Sequence, residues 1–510
     1  MPVAGFIILR RKRIMGVMKF RLPPNDATRK EPDYRKAYFT GLDRTPGRLA
    51  VELRNGVLTC MRESTESGRL FVPWPIEGYG MPLVGTATLA ERSAPYMLAV
   101  ELARGKLNDI RNQVSDWIQL GLRSSPELER RLGDAQKAFV VAATNTDRVQ
   151  ECLQAAQASL DAASSAGDIL MDAYTSQILQ SRLSSTSRLP THLGCVIEEP
   201  PTKATAALDW AGTFNMAHIN VQWKQIAPSE GQYRWDLLDS LLSWSRKGGL
   251  AVEVGPLIEF RYGALPDWLA LWEGDGETIS GLVAEFVQQI VQRYRGRVPF
   301  WHLVHRPASG DILGLTEEEQ IRITARAIQV ARQADPGAQL AIGIDRPWAD
   351  WMGSSHFQLG PLHVCDYLLR ADLGLSAIAI EMAPGFSAPG SHMRDLFEFS
   401  KLLDLYSLLN VPLSVWMALP SAAGPDPLAD PAVHVEAQQW PASLDENLQA
   451  AWGAKWLALA VAKPYVRSVS WLQSTDAATH LYPHAGLLRA DQTAKPLLPW
   501  MRLLRKQTLA

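Results

Sequence analysis

Carboxylates are the residues of this chain best suited to chemistry. Glu198 and Glu199, Glu259, Asp345, Glu381 and Asp476 each follow a short apolar run with strand character. Two carboxyl groups facing each other can share general acid and base work when their surroundings push their pKa values apart. Asp345 and Glu381 follow successive strand-like runs, so they form one candidate pair, and Glu259 is a third candidate. Glu259 also has an ion-pair partner within reach in Arg306, on the next run. Such pairing lowers a carboxyl pKa, the wrong direction for a general acid. His302 and His305 suggest metal ligands beside Glu259 or His363, but strand alternation sends them to opposite faces, so no metal is expected. Trp223, Trp416 and Trp471 are candidates to stack on an apolar ring face or to fill a core, and Trp348 and Trp351 for an exposed aromatic platform. No Gly-rich phosphate loop follows any strand, and there is no local signature of a nucleophilic triad. No cofactor is expected.

These side chains need a scaffold. From about residue 191 to the end, eight strand-like runs alternate with amphipathic helical stretches. The runs are Leu193–Ile197, Met216–Val221, Ala251–Leu257, Phe300–Val304, Leu340–Ile344, Ala377–Ile380, Leu413–Trp416 and Ser468–Trp471. Eight strand–helix units predict a (β/α)8 TIM barrel, with the carboxylates at its C-terminal face.

Residues 15–92 read as a small β-sandwich-like module. Asn55-Gly56 between Val51–Arg54 and Val57–Cys60 is a hairpin signal, because both turn positions need positive φ. Residues 93–185 read as a helical hairpin or bundle acting as a spacer, and a surface for a protein partner is one use of it. Ser93 is the expected cap and Pro95 the first turn of its first helix, Gly121 the stop, and Glu127–Ala143 and Val149–Ala163 the next two helices. A polar linker, Ser184–Ser187, precedes the barrel.

In the barrel region a family resemblance emerges. Trp223-Lys224-Gln225 through Pro228 to Gly231-Gln232-Tyr233, Leu265-Pro266-Asp267-Trp268, Arg293-Tyr294-Arg295-Gly296 with Trp301, Asn410-Val411-Pro412-Leu413, and Trp471, Asp476, Gly486-Leu487-Leu488 and Lys495-Pro496 stand in an ordered series. In that order they resemble glycoside hydrolase family 10, the xylanase type. The resemblance implies a carbohydrate or related polyol as ligand, and retaining hydrolysis by two carboxyl groups about 5 Å apart. It also implies sugar-contacting positions at Gln222, Trp223, Arg261, His305, Arg306 and Trp471, and at Glu381 where the family carries a Gln.

By the same alignment, both catalytic glutamate positions are substituted. Arg306 stands in Trp301-His302-Leu303-Val304-His305-Arg306, where the family ends on Asn-Glu, and Met417 stands at the end of the seventh strand. Arg stays protonated and cannot be a general acid. Met is a poor nucleophile toward an acetal. A degenerate barrel that binds without cleaving is therefore the first expectation. An active O-glycosyl hydrolase, endo-xylanase-like, with relocated carboxylates is the second. A non-catalytic scaffold with a plugged mouth is the third.

Composition bounds the rest. The 510 residues carry 51 Lys+Arg against 53 Asp+Glu, a formal charge of −2, which argues against a nucleic-acid partner. Four scattered cysteines argue for a reducing compartment. No apolar run reaches the roughly 20 residues of a membrane span. Val3–Leu9 precedes the basic Arg10–Arg13, the reverse of a secretory signal, so the expected location is cytoplasmic, with Met15 and Met18 as alternative starts.

Overall fold

A computed structural model describes residues 16–24, 32–202, 205–307, 312–353, 355, 357–441 and 444–510. The apolar and basic segments before residue 14, and Met15, lie outside the described residues. The chain divides into two units: residues 1–77, 81–170 and 349–358 in one, and 78–80, 171–348 and 359–510 in the other.

The first unit opens with strands β1 (Gly16–Arg21), β2 (Tyr38–Thr40), β3 (Pro46–Gly47), β4 (Leu49–Arg54), β5 (Val57–Arg62), β6 (Arg69–Pro73), β7 (Leu83–Gly85) and β8 (Tyr96–Met97). They form two four-stranded sheets, ordered β4-β5-β1-β8 and β3-β2-β6-β7. The Asn55-Gly56 turn joins β4 to β5 in antiparallel register, with φ of 51° and 72°. Alternation along β5 buries Leu58, Cys60 and Arg62, and the Arg62 guanidinium lies 4.1 Å over the Phe39 ring of the other sheet. Helices α1 (Leu98–Gln119), α2 (Pro126–Thr144) and α3 (Val149–Ser185) follow, the residues of α3 from 171 on belonging to the second unit. They meet through Leu107, Ala135 and Ala163.

Two expectations fail here. Ser93 does not cap α1. The chain first pairs Tyr96 and Met97 with Phe20 and Arg21 as β8, so the helix starts at Leu98 without a side-chain cap. The third helix does not stop near Ala163. No proline interrupts residues 164–185, and α3 runs 37 residues, into the expected linker. Its last turn is tied down by Arg182, which donates to the Val461 and Ala462 carbonyls at 2.6 and 3.2 Å.

The second unit is an eight-stranded parallel barrel, a TIM barrel with helices between its strands. The chain order is β9 (His192–Ile197), α4 (Trp210–Thr213), β10 (Met216–Ile219), α5 (Trp223–Ile226), α6 (Asp236–Lys247), β11 (Ala251–Val254), β12 (Ile258–Glu259), α7 (Gly276–Arg293), β13 (Phe300–His305), α8 (Glu317–Ala334), β14 (Gln339–Ile344), α9 (Pro361–Arg370), β15 (Ala377–Met382), α10 (Leu396–Ser407), β16 (Leu413–Met417), α11 (Glu446–Ala462), β17 (Val466–Trp471) and α12 (Leu497–Thr508). The third barrel strand is split into β11 and β12, both pairing with β13, and β17 returns to β9 to close the ring. Its strands are almost wholly buried, as their near-continuous apolar sequences require. Helix starts are capped locally: Thr316 and Glu319 form a capping box on α8, and Asp275, Asp395 and Asp445 cap α7, α10 and α11. Among the described residues no helix is long and apolar enough to cross a membrane.

Candidate functional site: an arginine-centred barrel mouth

Arg306 directly follows β13, and its backbone turns left-handed (φ 62°) while its side chain is only 2% exposed. A buried guanidinium must be paired. Nη1 donates to Glu259 at 2.7 Å, Nη2 donates to both Glu381 oxygens at 2.8 and 2.9 Å, and Nε stands 3.6 Å from Asp345. Neighbouring strand ends thus deliver three carboxylates to one cation. Arg261 extends the cluster, donating to Glu259 at 2.8 Å and to Asp430 at 3.1 Å. Glu381 also accepts from the Tyr482 hydroxyl and from His305 Nε2, the latter at 2.7 Å.

This wiring fixes protonation. Burial pushes the Glu381 carboxyl up, but Arg306, His305 and Tyr482 outweigh it and hold it well below the usual range. For Glu259, burial is likewise overcome by Arg306 and Arg261. Burial lowers Arg306, and the surrounding carboxylates raise it above its ordinary value. Glu259 and Glu381 are therefore anions with no proton to donate.

Below the ion cluster lies a layer of imidazoles. His302 and His305 do not face opposite ways as simple alternation required. A bulge between His302 and Val304 shifts the register, so both rings pack inside the barrel, centroids 5.2 Å apart, and both meet Trp416, at 4.3 and 5.2 Å. Gly343 makes room: a Cβ there would come within 2.0 Å of His305 Nδ1. His218 packs edge-on to Trp416, and its Nε2 donates to the Gly255 carbonyl at 3.0 Å. Glu253 closes the layer from below, 3.7 Å from His302 and 3.4 Å from Arg467. No group of three His, Cys, Asp or Glu among the described residues is arranged to hold a metal ion.

Above these groups is a cavity of about 1130 Å³, lined by Glu259, His305, Arg306, Glu381, Trp416 and Tyr482 among others. It sits at the C-terminal strand ends, where barrel enzymes place their sites.

Comparison with known proteins agrees in kind. Residues 188–343 match the family described as Glycosyl hydrolase family 10. Over those residues the barrel is similar to glycosyl hydrolase family 10. Endo-1,4-beta-xylanase B of Humicola insolens is 29% identical over 120 residues, 23% of this chain and 32% of that protein. Endo-1,4-beta-xylanase 3 of Hypocrea jecorina is 27% identical over 130 residues, 24% of this chain and 36% of that protein. The chain thus spans about a third of the length of these curated relatives. Native xylanase 10B from Thermotoga maritima superposes over 62% of this chain and 95% of its own, with 16% identity and a TM-score of 0.48.

In this barrel the sequence candidates separate into groups. Glu259, Arg261, His305, Arg306 and Glu381 meet at the cavity, and the Glu259–Arg306 pair read from strand order is present. Gln222 lies at its edge. Asp345 stands behind Arg306 rather than across the cleft from Glu381, so one guanidinium separates the two. Trp471 is fully buried, its indole N–H donating to the Ala485 carbonyl, so it packs the barrel instead of stacking on a ligand. Trp223 borders the cavity but lies flat on Phe286 at 4.7 Å and is 2% exposed, which removes it as a platform. Trp348 is no exposed platform either, since Arg394 covers its ring at 4.5 Å, and Trp351 is half-buried against Phe357. Met417 is buried, and its neighbour Trp416 is the strand-seven side chain at the cavity. Sequence reasoning missed Tyr482 and Asp430. Both sit on long loops, where periodicity carries no signal.

Proposed function

We propose that this barrel binds a carbohydrate or related polyol at its mouth without performing retaining hydrolysis. The observation that carries the reading is Arg306, which bridges Glu259 and Glu381 at the end of the fourth barrel strand. Retaining cleavage needs one protonated carboxyl to release the leaving oxygen and one unencumbered carboxylate to attack. Here Glu259 and Glu381 are both anions and both are held by the same guanidinium. Strand seven offers Trp416 and Met417, neither of which stabilises an oxocarbenium ion as a carboxylate does. The cavity is large enough for a short oligosaccharide, and the family 10 relatives are named as xylanases.

The test combines calorimetric titration of the full chain with xylo- and cello-oligosaccharides and an assay of reducing-sugar release. Binding without release is the expected result. Release that Glu381→Gln abolishes would overturn the reading in favour of relocated catalytic carboxylates. Absence of binding to every sugar would leave the scaffold reading.

A further inference from the structure

Resting on that reading, we infer that the mouth discriminates by charge, admitting neutral sugars and rejecting those that carry a carboxylate. Among the described residues lining the cavity, five carboxylates stand against three cations. The carboxylates are Glu198, Glu199, Glu259, Glu381 and Asp430, and the cations are Lys224, Arg261 and Arg306.

A uronate entering such a space needs a cation with donors to spare, because desolvating an anion without a partner is costly. Arg306 is buried and already surrounded by carboxylates, and its one unbonded nitrogen, Nε, is covered beside Asp345. Its Nη atoms go to Glu259 and Glu381, its Nε faces Asp345, and its side chain is almost wholly covered. Arg261 is divided between Glu259 and Asp430. Lys224 donates to the Gly263 carbonyl at the exposed edge, and of the three cations it is the one with no carboxylate partner among the described residues. On the other side of the balance, Glu198 takes a single amide N–H from Asn220, at 2.7 Å, and Glu199 is exposed. Like charges brought together across a binding surface cost enough to suppress a wrong ligand. A neutral sugar escapes this repulsion, and its hydroxyls can both donate to the carboxylates and accept from Lys224.

The experiment titrates the full chain with a neutral xylo-oligosaccharide and with the same backbone bearing a glucuronate branch. At low salt the acidic ligand is expected to bind at least about tenfold more weakly. Raising ionic strength from ~0.01 M to ~1 M shortens the screening length from about 30 to about 3 Å, and the gap should close. Glu198→Gln with Glu199→Gln should narrow it at low salt. Equal or tighter binding of the acidic ligand sinks the inference alone, and so does a gap that salt leaves untouched. Tight uronate binding that Lys224→Gln removes also overturns it, by making Lys224 a carboxylate receptor. If neither ligand binds, the carbohydrate reading itself has failed.

Discussion

At the residue scale, Arg306 holds the mouth together. Removing one partner from a buried ion cluster leaves charges without compensation, which typically costs about 3–5 kcal/mol. Arg306→Met should destabilise the protein by that order, read as a fall in the denaturant midpoint. A change under ~1 kcal/mol would mean that Glu259, Glu381 and Asp345 are not held by it. A second residue-scale prediction concerns acid. Burial pulls His302 from its ordinary 6.5 down to about 4. Burial raises Glu253, but His302, His218 and Arg467 bring it from 4.5 to about 2. Both groups bind protons less readily folded than unfolded, so their stabilisation is complete above the unfolded pKa and lost as pH falls. Stability should therefore decline in two windows, from about 6.5 to 4 through His302 and from about 4.5 to 2 through Glu253. Urea unfolding followed from pH 8 to 3 checks the sign, which a rise in stability between pH 7 and 5 would contradict.

At the element scale, the irregularities carry the site. The eight barrel strands were legible because each is an apolar run between amphipathic helices, and the order of those runs also gave the Glu259–Arg306 pairing. The bulge in β13 was not legible: one extra residue reverses inward and outward facing without any change in composition. Alternation therefore misplaced His302 relative to His305. The left-handed turn at Arg306 was equally hidden, because nothing in an arginine announces positive φ. Trp471 and Trp223 were drawn to the mouth by family resemblance, yet packing against Ala485 and Phe286 claims them. Gly343 shows the cost of the bulge most directly. A methyl group there meets His305 Nδ1 at 2.0 Å and the His302 ring at 2.4 Å. Gly343→Ala should cost about 1–3 kcal/mol or more by overpacking. Thermal melting of that variant, beside Gly281→Ala on exposed helix surface where a Cβ meets nothing, is the check.

At the scale of the whole molecule, the thiols are shut away. Cys60, Cys152, Cys195 and Cys365 are all free and buried. Burial pushes Cys60 up to about 12 and raises the other three as well. Since the thiolate is the reactive form, the native chain should be nearly inert to a thiol reagent at neutral pH, with four groups titrating only in denaturant. Rapid labelling of any one of them in the native state would contradict the burial described.

One further consequence follows from the make-up of the first unit. It contains residues 349–358, a stretch encoded after the fifth barrel strand. During synthesis the leading sheets and helices emerge from the ribosome well before that piece exists. The early third of the chain must wait, incomplete, for about half of the barrel to be translated, so its final assembly is a late event rather than the first step of folding.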